Sequence, residues 1–217
     1  NSPITLALVV VTPGVFTLEN LPGLPLTLAA SQSVNVDLRF TPVADGDVDG
    51  VLSLTPGAGD PYDVVVRGPG RVASYGVNPG VFDFGTVCMG QAAVQRFELT
   101  ITGSADVQVS APAITAGASI FAVTFISPLA ADYPASLPPG GMAVVDVTAT
   151  PTSATASGVL QINTDVGGAA TEVALSVSSI SSGVAVGPPT LDFGAVPVGS
   201  DSNPETVTLS NCDPTDL

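Results

Sequence analysis

Few residues in this 217-residue chain are of types that could do chemistry, and the most suggestive group is a run of three aspartates. Asp45, Asp47 and Asp49 stand in Asp-Gly-Asp-Val-Asp-Gly, and a calcium-binding loop begins this way because three carboxylates can converge on one hard cation. Such a loop needs a bidentate glutamate at its twelfth position, which here is Pro56. We therefore assign no metal site and expect an acidic, solvated turn, with calcium binding left as the alternative.

Residues that could form a catalytic group are no better placed. The chain has no histidine, so the serines in Gly-Ser-Ala at 103–105 and Gly-Ser-Asp at 199–201 lack the base that would activate them. Glu98 and Glu172 lie among apolar residues in predicted strands, where a carboxylate is expected to face water. The sequence therefore predicts a protein that is not an enzyme, with no catalytic residue, no cofactor-binding residue and no cofactor.

The two cysteines are 124 positions apart, as Cys88 and Cys212. So few cysteines do not make a disulfide framework, and the sequence alone does not supply the geometry of a bridge. The sequence favours two unpaired thiols, and a single long-range disulfide is the alternative.

Charge limits the partners that the protein can have. The formal net charge is −15, from 19 acids and 4 bases, and the bases are Arg39, Arg67, Arg71 and Arg96. A nucleic-acid partner is not expected, because phosphate binding needs a cationic surface. Membrane insertion is not expected either, since the longest apolar run, residues 6–11, is far shorter than the ~18 residues of a membrane helix. The acidic, lysine-free composition favours an extracellular or cell-surface location.

Apolar residues alternate with polar ones, and glycine, proline, asparagine and aspartate interrupt them at intervals of about ten residues. This pattern is typical of an all-β fold in which each strand buries one face. Seven strands are predicted in one stretch of the chain: 81–87, 94–102, 106–111, 120–126, 142–150, 158–164 and 171–178.

Three pairs of segments show that the chain repeats itself. Residues 79–90 match 188–199 at an offset of 109, residues 34–42 match 143–151 at 109, and residues 50–54 match 158–162 at 108. A period near 109 residues is the size of an immunoglobulin-like domain. The predicted fold class is therefore all-β, with tandem immunoglobulin-like seven-stranded β-sandwiches.

The repeat predicts the domain organisation. We expect a partial sandwich at 1–68 with the last five strands of a repeat, a linker at 69–78, a complete sandwich at 79–178, a linker at 179–188, and the first two strands of a further repeat at 189–217. Five strands and two strands together make seven, so residues 189–217 could complete the partial sandwich, either in the same chain or in another. The chain is expected to be a fragment of a longer array.

The repeated motif resembles a known family. Residues 188–199 read Pro-x-x-Leu-Asp-Phe-Gly-x-Val-x-x-Gly, a Thr-Leu-Ser-Asn strand follows, and residues 137–160 contain Leu-x-x-Gly-x-x-x-x-Val…Thr-Pro…Gly-x-Leu. These segments resemble ASH domains, named from abnormal spindle and Hydin proteins, whose bacterial relatives include choice-of-anchor D repeats. The family is related to the major sperm protein and PapD fold. Residues 29–31 depart from it, with Ala-Ala-Ser in place of the Pro-Pro-Gly at 138–140.

The resemblance implies a non-catalytic structural or protein–protein interaction module from a bacterial secreted or surface repeat protein. It implies protein partners of unknown identity. Two alternatives stay open. One is an assembly subunit that exchanges strands between chains and so forms a homo-oligomer. The other is a carbohydrate-binding sandwich, for which Tyr62, Tyr75 and Tyr133 are the aromatic residues to consider because the chain has no tryptophan.

Overall fold

The computed structural model describes residues 3–191, 193, 196, 198–202 and 204–213. The chain divides into two compact units, Asn1–Val72 and Ala73–Leu217. Both are built almost entirely from β-strands, as the sequence predicts, and these strands pair antiparallel except for one parallel pair in the second unit. The helical structure among the described residues is one short 3₁₀ turn, Ala130–Asp132. No helix in these ranges is long and apolar enough to cross a membrane.

The first unit contains one four-stranded sheet and one two-stranded sheet. Its strands are β1 (Ile4–Thr12), β2 (Phe16–Glu19), β3 (Leu26–Leu28), β4 (Asp37–Phe40), β5 (Gly46–Pro56) and β6 (Tyr62–Gly70). The larger sheet has the order β3-β1-β5-β6, and β2 pairs with β4 in the smaller one. The rings of Phe16 and Phe40, which lie opposite each other on β2 and β4, stack 4.8 Å apart. They pack against Gly50 and Gly68 of the larger sheet, where an added Cβ would touch them.

The second unit contains two four-stranded sheets of order β11-β15-β16-β8 and β12-β14-β9-β7, with the small pairs β10-β13 and β17-β18 beside them. Its strands are β7 (Tyr75–Asn78), β8 (Val81–Cys88), β9 (Ala93–Ile101), β10 (Val107–Val109), β11 (Ala113–Ala116), β12 (Phe121–Ser127), β13 (Ala135–Leu137), β14 (Met142–Ala149), β15 (Thr155–Ile162), β16 (Thr171–Ile180), β17 (Val184–Gly187) and β18 (Thr208–Asn211).

A continuous apolar core lies between the two large sheets of the second unit. Four phenylalanines form its centre, with ring centroids about 6 Å apart in successive pairs (Phe97, Phe82, Phe84 and Phe121). Aliphatic residues from β9, β14, β15 and β16 surround them and are almost completely buried. This alternation of buried and exposed residues along each strand is what the sequence pattern predicts.

The seven predicted strands of the second unit are all present, within a few residues at each end. Four further strands among the described residues, β7, β11, β13 and β17, are not predicted, because segments of three or four residues are too short to show period-two alternation.

The predicted linkers contain strands. In the segment 69–78, β6 continues to Gly70 and β7 pairs with β9. Gly68, Pro69 and Gly70 continue β6, and at Gly68 the ring of Phe40 fills the space that a side chain would need. In the segment 179–188, β16 extends to Ile180 and β17 pairs with β18.

Residues 189–217, which the sequence analysis offered as strands that complete the first unit, lie with the second unit where they are described. At their described positions, residues 208–211 form a strand, which pairs with β17. Of the two strands expected within 189–217, the first is not formed at the described positions 191, 193 and 196, and positions 192, 194, 195 and 197 lie outside the described residues.

The cysteines correct the sequence interpretation that favoured unpaired thiols. Cys88 and Cys212 form a disulfide, with their Cα atoms 5.1 Å apart. The reason lies in the fold: β17 packs beside β8, and β18 pairs with β17, so the residue after β18 reaches the end of β8. A separation of 124 residues leaves no local signal of this proximity.

Removing the disulfide should destabilise the second unit. In the Cys88→Ala/Cys212→Ala variant we expect the free energy of unfolding to fall by about 2–4 kcal/mol, because the cross-link limits the unfolded chain. Urea unfolding followed by circular dichroism measures this loss. A reducing agent should cause a similar loss in the unchanged protein and none in the variant. Equal stability of the two proteins under oxidising conditions would contradict a structural bridge.

Candidate functional site: the open side of the first unit

Corresponding residues of the two units can be matched through the strand pairing. Leu52 lies opposite Val64 between β5 and β6, as Leu160 lies opposite Val173 between β15 and β16. Gly50 and Gly158 stand two residues before these leucines. A Cβ atom added at Gly50 would touch the ring of Phe16, and one added at Gly158 would touch the ring of Phe121, so the two glycines occupy equivalent positions. The strands β1, β2, β4, β5 and β6 thus correspond to β11, β12, β14, β15 and β16.

The first unit, in its described residues, has no counterparts of β7, β8 and β9. In the second unit β8 pairs in parallel with β16, and β9 pairs antiparallel with β14. The corresponding strands β6 and β4 therefore each have one edge without a strand partner among the described residues. Unpaired N–H and C=O groups along such an edge are ready to bind another strand.

The apolar face of β5 and β6 that points toward β2 and β4 is only partly covered. Val64 is 47% exposed, whereas its counterpart Val173 is 1% exposed. Leu52 and Leu54 are half-buried, whereas their counterparts in the second unit are completely buried. We call this face, together with the free edges of β4 and β6, the open side of the first unit.

Exposed apolar side chains also lie on the opposite face of the same sheet, where Val51 and Val65 stand directly across from each other. Polar pairs interrupt this outer face. The Ser53 hydroxyl donates a hydrogen bond of 2.5 Å to Asp63, and the Arg67 Nε lies 3.0 Å from an Asp49 carboxylate oxygen. The open side has apolar side chains at its centre, namely Leu52, Leu54 and Val64.

The edge strand β4 carries an ion pair on its solvent side. The Arg39 guanidinium donates two hydrogen bonds to the Glu19 carboxylate on the neighbouring strand β2, and this hydrogen bonding raises the pKa of Arg39. Three of the four arginines, namely Arg39, Arg67 and Arg71, are found on the two edge strands of the open side or directly after them.

The aspartates of the candidate calcium loop do not form a ligand set. Asp47 and Asp49 lie on β5, where Asp49 is directly opposite Arg67. The Arg71 guanidinium is 3.9 Å from both Asp45 and Asp47. Within the described ranges, no group of three or more potential metal-ligating side chains is close enough to hold an ion. The carboxylates that the motif would direct at calcium are turned toward guanidinium groups.

Calcium is therefore expected to leave the thermal stability unchanged. To bind calcium, each of these aspartates would have to break its ion pair with an arginine. The loop also has Pro56 at the position where a glutamate would complete the coordination of calcium. Differential scanning calorimetry with millimolar calcium against the same ionic strength of sodium chloride measures the effect. A rise in Tm that Asp47→Ala abolishes would show that the motif binds calcium.

Two of the three tyrosines that a carbohydrate-binding sandwich would use are packed into the second unit, and the third is exposed on the first. The Tyr75 hydroxyl lies 2.7 Å from the Thr171 hydroxyl, which ties it to the sandwich of the second unit. Tyr133 packs against Phe125, with ring centroids 5.3 Å apart. Both rings are half-buried, and Tyr62 on β6 is the exposed one, at 70%.

The Tyr133 hydroxyl is enclosed and has no hydrogen-bond partner among the described residues. Burial also raises the pKa of Tyr133. The folded state thus holds the hydroxyl proton to higher pH than the unfolded state, so stability is lost as pH rises past the ordinary tyrosine pKa.

Tyr133→Phe should consequently match or exceed the unchanged protein in stability, by up to about 1 kcal/mol at neutral pH, because an unpaired buried hydroxyl is removed. Its loss of stability at alkaline pH should be smaller. Urea unfolding at neutral and alkaline pH measures both effects, and Tyr62→Phe is the exposed control. A loss of more than about 1 kcal/mol at neutral pH would indicate that the hydroxyl makes a stabilising bond.

The sequence predicts that the first unit is a partial sandwich, but it assigns no residue to the open side. The signal available was the match of residues 50–54 to 158–162, which makes Leu52 and Leu54 the counterparts of Leu160 and Ile162. Glu98 and Glu172 lie on β9 and β16, which belong to different sheets, so the structure does not pair these carboxylates.

Comparison with known proteins gives limited matches. No protein-family model matches the chain. A segment of 86 residues is 35% identical to the cilia- and flagella-associated protein 74 of Chlamydomonas reinhardtii, which is 39% of this chain and 4% of that protein. The chain therefore spans only a small part of this relative.

Solved structures with similar strand arrangements include a Porphyromonas gingivalis W83 protein of unknown function, at 15% identity and a TM-score of 0.39, over 82% of this chain and 86% of that one. Another is the ASH/PapD-like domain 7 of human CEP192, at 17% identity and a TM-score of 0.37, over 49% of this chain and 84% of that one. At these scores the neighbours do not decide the fold, which we describe from the strand pairing of the chain itself.

Proposed function

We propose that this chain is a non-catalytic structural and protein–protein interaction module, and that the open side of its first unit is the binding surface. The observation that carries this proposal is the contrast between matched residues, because Val64 is 47% exposed where Val173 is 1% exposed. An apolar sheet face bordered by unpaired strand edges is the surface that strand addition uses: backbone hydrogen bonds provide affinity and alternate side chains fill the apolar face.

We further propose that both units are immunoglobulin-like repeats of the ASH type. The sequence motif at 188–199, its copy at 79–90 and the pairing of β8 with β16 support this assignment.

An extracellular or cell-surface location, in a bacterial secreted or surface repeat protein, is part of the proposal. The disulfide between Cys88 and Cys212 supports it, since disulfides persist in oxidising compartments and are rare in the cytosol. The acidic composition agrees with such a location, because a strong net charge keeps a protein with few charged residues in solution.

A synthetic peptide with the sequence of residues 79–90, with serine in place of the cysteine, should bind the full chain. It carries the strand that covers β16 in the second unit, and β6 offers the corresponding free edge. Isothermal titration calorimetry should show saturable binding. Val64→Asp should weaken it about tenfold or more, since a valine side chain contributes roughly 1.5–3 kcal/mol when buried.

Val65→Asp is the matched control, because Val65 lies on the same strand but on the outer face, where it is 62% exposed. This variant and a peptide of scrambled sequence separate binding at the open side from general adhesion. The proposal fails if the peptide does not bind, or if the two aspartate variants weaken binding equally.

A further inference from the structure

Strand β12 forms a long edge of the second unit. The order of its sheet is β12-β14-β9-β7, so β12 has β14 on one side and no strand on the other among the described residues. Its seven residues, Phe-Ala-Val-Thr-Phe-Ile-Ser, include no charged residue, no proline and no glycine. Edges that avoid pairing with other chains are short, charged or interrupted by proline, so β12 is an edge that is ready to pair.

The other edge strands of the two large sheets in this unit are short or covered. β7 and β11 have four residues each, and the register of β11 shifts between Ile114 and Ala116. β8 has β17 packed beside it. Among the described edges of these sheets, β12 is therefore the longest one without a neighbouring strand.

The counterpart of β12 in the first unit is protected. β2 is four residues long and ends with the charged residue Glu19, at the position that Thr124 occupies in β12. Asn20 follows with a φ of 53°, a left-handed conformation that does not continue a strand. The two units share this strand, and the second unit keeps it long and uncharged.

One hydrogen bond shows which backbone groups of β12 face its free edge. The Thr150 N–H donates a bond of 2.8 Å to the carbonyl of Ile120, just before the strand. Successive residues of an antiparallel strand direct their N–H and C=O groups alternately to its two sides. Thr124 therefore faces β14, and the N–H and C=O groups of Val123 and Phe125 face the free edge, where no described strand bonds to them.

Apolar side chains lie beside these backbone groups. Val123 and Phe125 pack against the core but are only half-buried, and Ile126 is 41% exposed. Val145 and Val147, which lie opposite Phe125 and Val123 on β14, are completely buried. A strand added to β12 would therefore bury apolar area as well as satisfy backbone groups.

The charges next to the free edge cancel. β14 carries one charged residue, Asp146, and the Arg96 guanidinium donates hydrogen bonds of 2.9 and 3.3 Å to its two carboxylate oxygens. Copies of a chain with a net charge of −15 repel each other, and this repulsion is weakest where the local charge is balanced. An uncharged edge fits an uncharged strand, and β12 of a second molecule is such a strand.

We infer that β12 pairs with β12 of a second molecule of this chain. The two strands run antiparallel, and the four-stranded sheets of the two molecules join into one sheet of eight strands. The same surface is used on both molecules, so the contact has two-fold symmetry and closes in a dimer. This inference goes beyond the proposed function, because it concerns another surface on the other unit.

The groups that face the free edge determine the register. Val123 of one molecule lies opposite Phe125 of the other, and the two-fold axis passes between the two Thr124 residues. The N–H and C=O groups of both outward-facing residues are then bonded in both molecules. An aromatic side chain faces a β-branched one on the inner face, and two threonines meet on the outer face, which are both favourable cross-strand pairs.

Other two-fold registers form fewer hydrogen bonds. A shift by two residues in one direction would use Phe121, whose N–H already donates a bond of 2.9 Å to the Gly117 carbonyl. A shift in the other direction would use Ser127, which lies beyond the β-bulge of the strand. The register centred on Thr124 is therefore the most favourable one.

Thr124→Cys tests this register in the full chain. The two new thiols would face each other as a non-hydrogen-bonded pair, with Cα atoms about 4.5 Å apart, which is within the range of a disulfide. The native cysteines are already bonded to each other. Mild oxidation should give a covalent dimer in non-reducing gel electrophoresis.

Ala122→Cys is the matched control, because Ala122 is exposed on the same face of the same strand. In the proposed register the two copies of this residue are four positions apart along the strand, or about 13 Å, so they should not cross-link. No dimer of Thr124→Cys, or equal cross-linking of the two variants, would overturn the inference.

Sedimentation equilibrium tests the association without a cross-link. A single strand edge makes a small interface, so the average mass should rise from monomer toward dimer between about 10 μM and 1 mM. Thr124→Asp and Thr124→Lys each place like charges opposite each other and should weaken the association about fivefold or more. An equimolar mixture of the two variants should associate about as tightly as the unchanged chain, because lysine then faces aspartate.

Thr155→Asp and Thr155→Lys control for the change in net charge. Thr155 is an exposed threonine on β15, in the other large sheet, so these variants should associate like the unchanged chain. A chain that stays monomeric to about 1 mM would overturn the inference. Equal effects at positions 124 and 155, or a mixture no tighter than the single variants, would do the same. Peptide binding at the open side is measured separately, so the proposed function stands or fails independently.

Discussion

The parallel pairing of β8 with β16 is the interaction on which the second unit depends. It places Phe82 and Phe84 between the two large sheets, where they contact the rings of Phe97 and Phe121 and complete the core. β8 forms backbone hydrogen bonds along the edge strand β16, and its phenylalanines cover the apolar face of the same sheet. One strand therefore satisfies the N–H and C=O groups of β16 and also buries apolar side chains of the core. Residues of β15 and β16 are fully buried as a consequence.

The first unit shows the same fold without this interaction among its described residues. Its strands keep the register of the second unit, and Gly50 of β5 keeps with Phe16 the close contact that Gly158 makes with Phe121. What changes is burial, which falls at Val64 and at Leu52 and Leu54, whereas Gly68 and Gly70 stay buried. In a protein with more repeats, the same pairing would join successive units along one chain.

The sequence predicted the nearly all-β architecture and the seven main strands of the second unit, because alternation and the 109-residue repeat are local properties of the chain. It did not predict the short strands β7 and β17, since Tyr75–Asn78 and Val184–Gly187 acquire their pairing from distant partners. It favoured unpaired cysteines, because the proximity of Cys88 and Cys212 arises from the packing of β17 beside β8. It assigned no residue to the open side, because exposure depends on which strands are absent.

Amide hydrogen exchange of β6 in the presence of the peptide of residues 79–90 tests the central claim most directly, since it observes the free edge itself. We expect the amides of Tyr62–Gly70 that point away from β5 to exchange rapidly in the chain alone and to become protected as the peptide concentration rises. Amides of β16, which already has β8 as its neighbour, should not change. Exchange of the β6 edge that is independent of peptide concentration would contradict the account.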